Sequence, residues 1–304
     1  IYLHRPHVAE QFLAALDKME PRPPILFFGH DLHYLRIRRE YELSGDEGLL
    51  RTSQKWRKRE FAVFDRVDKV YYPSAVEVEE VLREKPDLDV RAIPLYILPE
   101  VELPTYEFDS TGDILFVGGF NHPPNVDGVC WFVEEVLPLV AAARPGIRLH
   151  VVGSNPTDAV EALQSDQVVV YGYLSDEELD ALYQRVRQVV VPLRFGAGVK
   201  GKVIEAVQKN RPLVTTSVGA EGIPEADSVM NIADTAAEFA ALVQRVDEGE
   251  SSCLARMAAY PDWLGRHFGK ANAAAVIEED FGNPLREPEA GLSAAGGDVL
   301  AEAT

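Results

Sequence analysis

Short apolar runs alternate with amphipathic stretches along most of the chain. Pro24 to Gly29 (PILFFG), Lys69 to Ser74 (KVYYPS) and Val90 to Ile97 (VRAIPLYI) read as extended segments, while His7 to Met19 (HVAEQFLAALDKM) repeats apolar residues at helical spacing. Ser74 with Glu77 three positions on has the form of a capping box, which predicts a helix over VEVEEVLREK. Residues 1–105 therefore read as repeated β-α units. The stretch Leu98 to Gly112 is rich in turn formers and acids and has no period, so a linker is expected there, with 106–112 as the boundary proper.

A second series follows. DILFVGG from Asp113, IRLHVVG from Ile147, QVVVYG from Gln167, QVVVPL from Gln188 and PLVTTS from Pro212 read as strands. Between them, helices are expected over PNVDGVCWFVEEVLPLVAAA from Pro124, near Asp158, over SDEELDALYQRV with a Ser175/Glu178 capping box, and over VKGKVIEAVQKN from Val199. Strands with no polar alternation, separated by helices, mean a parallel sheet covered on both faces. The second domain, 113–250, is thus expected to be a doubly wound α/β unit, followed by helices over 251–282 and a flexible tail at 283–304.

Charge changes this picture at one place. The 304 residues carry a formal net charge of -19, yet residues 186–211 hold six Lys or Arg against one acid, Glu205. The global charge argues against nucleic acid as a partner and leaves a small anion in a local pocket as the natural one. A second basic region, Arg36 to Arg59, is expected to be a solvated helix face, with peripheral membrane contact as the competing reading. No apolar run approaches the ~20 residues that cross a bilayer, and the opening residues lack the order of a secretory leader, so a cytoplasmic location is expected. A chain that opens on Ile1 reads as part of a longer protein with further domains. Two cysteines, Cys130 and Cys253, supply neither a disulfide framework nor a four-thiolate metal site.

The basic island centres on RFGAGVKGKVIEA, Arg194 to Ala206, directly after a strand and at the head of a helix. Ligands of open parallel sheets sit beyond the carboxyl ends of the strands, where glycines bring backbone N–H groups close and the helix start adds positive potential. Gly196, Gly198 and Gly201 supply that backbone, Lys200 and Lys202 mobile charge, and Arg194 a forked donor. The expected ligand is a phosphate group. Glu205 shares a helical face with Lys202 and Lys209, which suits either a surface ion-pair ladder or a carboxylate accepting hydrogen bonds from a ribose diol. Gly118 and Gly119 form a second strand-end turn, and the amides near Tyr173 and Leu174 lie on a third loop of the same rim, where they can edge-bond a base. His30 and His33, with Asp31 between them, have no further metal ligand indicated, and Asp87 with Asp89 reads as a surface turn, so no metal is expected.

LFVGGFNHPPNVDGVCWFVEEVLPLV, VVVYGYLSDEELDALY and VVPLRFGAGVKGKVIEAVQKNRPLVTTSVGAEGI, in that order, resemble the donor-binding domain of family 4 glycosyltransferases, also called group 1. HDLHYLRIRREYEL and KVYYPSAVEVEEVLRE resemble the acceptor domain of bacterial members. The resemblance implies two Rossmann-like domains facing a cleft (the GT-B type), the first one incomplete. It also implies a nucleotide-diphosphate sugar donor, a carbohydrate or lipid-linked glycan acceptor, transfer with retention and no cofactor. By position, Glu205 matches the ribose glutamate, Lys200 and Lys202 fall at the diphosphate, Gly118 and Gly119 approach the donor, and His30 lines the cleft near the donor sugar or acceptor. Two departures stand out: Ala197 occupies the place of a frequent sugar-binding glutamate, and GGFNHPPN lacks the usual Arg and Lys. These departures motivate a rival expectation, a non-catalytic module binding glycan or partner. A sugar-nucleotide epimerase of similar shape is a third.

Overall fold

The computed structural model describes residues 1–95, 97–98, 102–106 and 112–282. In the first domain the apolar runs become β1 (Tyr2–His4), β2 (Leu26–Phe28), β3 (Lys69–Tyr72) and β4 (Val90–Ala92), all parallel and in the order β1-β2-β3-β4. Helices Pro6–Leu16, His33–Ser44, Glu47–Phe64 and Ala75–Glu84 connect or flank them. Phe27, Phe64, Val70, Tyr72 and Val81 close the core.

The second sheet contains β5 (Ile114–Val117), β6 (Leu149–Val152), β7 (Val168–Gly172), β8 (Gln188–Val191), β9 (Leu213–Thr215) and β10 (Asn231–Ile232). Its order is β10-β9-β8-β5-β6-β7, parallel throughout. The chain winds outward from β5 through β6 and β7, then returns to the other side of β5 to lay down β8, β9 and β10. Winding therefore reverses between β5 and β8, the position at which open parallel sheets bind their ligands. Separate apolar clusters fill the two faces, one around Phe116, Phe132 and Phe239, the other around Val191, Ile204 and Trp263.

Several local expectations are refined. The long helix after β5 is present as Pro123–Trp131 and Leu137–Ala143, but joined by a π-helical turn at Phe132–Val136. Pro138 has no N–H for the α-helical ladder, and the wider turn takes up the misfit. The Ser175/Glu178 capping box forms as read. The Ser74/Glu77 pair does not: Ser74 makes no side-chain cap and instead donates its hydroxyl to Glu77 Oε2 at 2.6 Å, both residues being buried. Nor is the start of the basic region a solvated face, because Arg36, Arg38 and Arg39 bond Asp31, Glu80 and Glu221, and only further along, at Arg51, Lys55 and Lys58, is the helix face exposed.

After the second core has taken up Trp263 and Leu264 from the helix Tyr260–Phe268, the last helix among the described residues, Lys270–Phe281, crosses back to the first domain. There Asp280 accepts bonds from Lys69 (2.6 Å), Tyr71 and Arg91. On the way, Leu98 N donates to Phe268 O at 2.7 Å, so the connecting segment is packed rather than free at that point. Residues 107–111 of the expected linker and the 283–304 tail lie outside the described residues. Among the described residues no helix is long and apolar enough to cross a membrane.

Candidate functional site at the sheet's point of reversal

The loop after β8 and the turn after β5 meet where the winding reverses. The helix Gly201–Gln208 opens there with Lys200 as its N-cap residue and no side chain capping it, so its first amides are left for another acceptor. Gly198 has φ +77°, and a Cβ at this position would lie 2.7 Å from the backbone oxygen of His30. Only glycine lets the basic loop touch the first domain so closely.

Lys202 reaches across to the β5 turn. Its ammonium donates to Asn125 Oδ1 at 2.6 Å and lies 4.7 Å from the centre of the Phe116 ring, with no carboxylate paired to it among the described residues. Burial lowers its pKa to about 7, an effect that Glu205 opposes and Lys200 reinforces. Lys200 is withdrawn from water too. Its Nζ donates to Gly198 O at 2.5 Å, and burial lowers its pKa against the raising influence of Glu221 and Glu77. Two ammonium groups without paired carboxylates among the described residues, Lys200 buried and Lys202 half-buried, are well suited to an anion.

Glu205 stands on the same helix without an ion-pair partner among the described residues. The ion-pair ladder, one of the two readings of this helical face, is absent among the described residues, since Lys209 pairs with Asp180 and Lys202 with Asn125. Burial raises the Glu205 carboxyl, opposed by Lys209 and the Tyr183 hydroxyl. Arg194 is drawn aside to the rim, where its Nε donates to Asp127 Oδ2 at 2.9 Å. Gly118 lies under the lysine, with a Cβ there falling 2.5 Å from Lys202 Nζ, and Gly119 lies beside Ser154. Tyr173, 76% exposed, projects from the end of the β7 loop, whereas the Leu174 side chain packs into the core beneath.

The first domain forms the opposite wall. Arg39 makes a fork with Glu221, both N–O distances being 2.7 Å, and its Nη1 also reaches Gly196 O at 2.6 Å. Behind it, burial raises the Glu77 carboxyl to about 7, with the Ser74 bond and Lys200 acting in the other direction, and Glu77 Oε1 has no hydrogen-bond partner. His30 is not gathered with the lysines. Its ring packs against Phe28 (5.3 Å) and His4 (5.9 Å) and faces a cavity of about 340 Å³ on the first sheet, while only its backbone oxygen meets the basic loop. His33 turns away to Glu60 and Trp56, and no cluster of three metal-ligating side chains occurs among the described residues. Ala197 sits in the apolar cluster of the first domain, so the position where the resemblance implied a glutamate is a packing position here.

Four participants had not been singled out from the sequence. His122 precedes the 123–131 helix, and its imidazole is pushed down to about 4 by burial and then by Arg36, Lys202 and Lys200, with Asp31 opposing. Asn125 is buried beneath the turn, and Arg39 with Glu221 joins residues 182 apart. A polar residue just after two prolines at a helix start was the available signal for Asn125; nothing local marks the Arg39 pair.

Residues 111–248 match the family described as glycosyl transferases, group 1. An uncharacterized 44.6 kDa protein in the cps region of Klebsiella pneumoniae is 33% identical over 117 residues, 36% of this chain and 30% of the relative. Among solved structures, TarM superposes with a TM-score of 0.72 at 12% identity, covering 91% of this chain and 53% of TarM. Sucrose-phosphate synthase of Thermosynechococcus elongatus gives 0.70 at 16% identity, covering 92% and 72%. A UDP-forming trehalose-phosphate synthase of Burkholderia xenovorans gives 0.64 at 14%, with the same coverage of 92% and 72%. These likenesses establish the GT-B architecture of paired α/β domains, and the chain spans about half the length of TarM and less than a third of the Klebsiella relative.

Proposed function

We propose that the protein is a retaining glycosyltransferase that moves a sugar from a nucleotide-diphosphate donor to a carbohydrate or lipid-linked glycan. The observation that carries this reading is the pair of lysines without carboxylate partners, Lys200 and Lys202, beside an uncapped helix start at the reversal point of a group 1 domain. A diphosphate placed there replaces the lost hydration of both ammonium groups. TarM of S. aureus has been solved in complex with UDP, which supports a uridine or related nucleotide as the handle.

In this reading the Glu205 carboxylate accepts from the ribose hydroxyls and the strand-end amides at Tyr173 and Leu174 border the base. The bond between the anomeric carbon and the β-phosphate oxygen breaks, and negative charge grows on the leaving diphosphate. Fixed ammonium groups and helix amides stabilise that charge more in the transition state than in the ground state. The acceptor hydroxyl attacks from the same face, its oxygen forming the new bond while its proton passes to the departing phosphate oxygen. No carboxylate base is required. His30, on the first-domain side, belongs to the acceptor approach rather than to the diphosphate. The natural full-length protein, incubated with UDP- and GDP-sugars and a glycan acceptor, should give a product whose anomeric configuration by proton NMR matches the donor. An inverted product excludes retention, and inertness toward every donor leaves a non-catalytic module.

A further inference from the structure

Asn125 occupies an unusual place for an asparagine. It is 5% exposed, in the first turn of the helix Pro123–Trp131, and both ends of its amide are used. Nδ2 donates to Gly119 O at 2.7 Å, and Oδ1 accepts from Lys202 Nζ at 2.6 Å. The side chain thus ties the β5 turn to the basic loop across the point of reversal. We propose that Asn125 is a positioning residue for donor binding: it aims the Lys202 ammonium and couples it to the Gly118–Gly119 turn, so that both loops close on the diphosphate as one unit.

The geometry leaves the lysine few alternatives. Phe116 lies against one side of the ammonium and Gly118 against another, the gap being too small for a Cβ. Asn125 Oδ1 takes one of three N–H donors, which leaves two for a ligand. An amide oxygen holds a lysine without neutralising it; an aspartate in its place would supply a counter-charge. The charged groups acting on Lys202 or responding to it are Glu205 and Lys200 from its own segment and His122 from the β5 turn. With the usual charge on this amine lost near pH 7, diphosphate affinity is expected to decline as pH rises above about 7.

This proposal rests on the donor reading, and a double-mutant cycle separates the two. The natural full-length protein and the variants Asn125→Ala, Lys202→Ala and the double are titrated with UDP and GDP, and with uridine and guanosine as phosphate-free controls. Each single variant is expected to lose about tenfold or more in affinity for the diphosphate that binds, with nucleoside binding unchanged, and the double is expected to lose little beyond Lys202→Ala. Multiplying losses overturn the positioning role while leaving the donor reading intact. Unchanged diphosphate affinity in Lys202→Ala overturns both. Should Asn125→Ala fail to fold, Asn125→Asp serves: the alkaline decline in diphosphate affinity moves to higher pH if residue 125 sets the lysine's charge, and an unmoved midpoint refutes the proposal.

Discussion

Replacing Lys202 with methionine should make the protein more stable and a poorer binder at the same time. Methionine keeps the unbranched stem against Phe116 and removes the ammonium. That ammonium has one neutral hydrogen-bond partner and no ion pair among the described residues, and burial lowers its pKa to about 7 from an ordinary 10.5. At ~1.4 kcal/mol per pKa unit the depression is worth several kcal/mol, and the water that reaches a half-buried side chain reduces this to about 1–3 kcal/mol. The lost bond to Asn125 offsets about 1 kcal/mol of the gain. The base is the depressed type, so the unfolded chain binds the extra proton between about pH 7 and 10.5, and wild-type stability should rise with pH across that window. Below pH 7 the full cost is present, and there Lys202→Met should show its largest gain, up to several degrees in Tm. Removing a charge-assisted bond to the ligand costs ~1.5–3 kcal/mol, about 10- to 150-fold in diphosphate affinity. Calorimetric melting and titration with UDP and GDP measure both signs. A variant that loses stability and keeps its affinity refutes the reasoning.

Two other perturbations follow from the wall opposite. Arg39→Ala removes the fork to Glu221 and the bond to Gly196 O, a loss of ~1.5–3 kcal/mol in contact between the domains; small-angle scattering of the ligand-free variant should show a larger radius of gyration, and an unchanged radius would mean the fork does not hold the cleft. Glu77→Gln should stabilise the protein above pH 7 by about 1–3 kcal/mol, since a carboxyl raised from 4.5 to about 7 keeps its proton in the folded state and wild-type stability must fall as pH rises through that interval. Parallel wild-type and variant stability curves between pH 4.5 and 8 would show that Glu77 is not the group responsible.

Most of the second domain was legible in its amino acids, because strands buried on both faces carry no polar alternation, and a run such as QVVVPL between two amphipathic helices has few other uses. The position of the basic loop at a strand end and helix start was legible for a related reason, since it follows QVVVPL directly and its glycines break the pattern. The far wall was not. Glu77 has the spacing of a cap and becomes a buried carboxyl because the second domain's loop covers it at Gly198, and Arg39 finds a partner 182 residues away. HPPN looked like a tight turn, and only the packed helix start shows Asn125 turned inward to a lysine from a distant strand end. Contacts made across the chain's two halves have no periodicity to read.

The central claim is that the meeting point of β5 and β8 grips a pyrophosphate. Calorimetric titration of the full-length protein with a nucleoside, its monophosphate and its diphosphate tests it most directly, repeated for the Lys200→Ala, Lys202→Ala double variant. Affinity should climb with each phosphate, by at least about 100-fold overall, and the climb should flatten in the double variant. Equal affinity for nucleoside and diphosphate, or a climb that survives loss of both lysines, would contradict it.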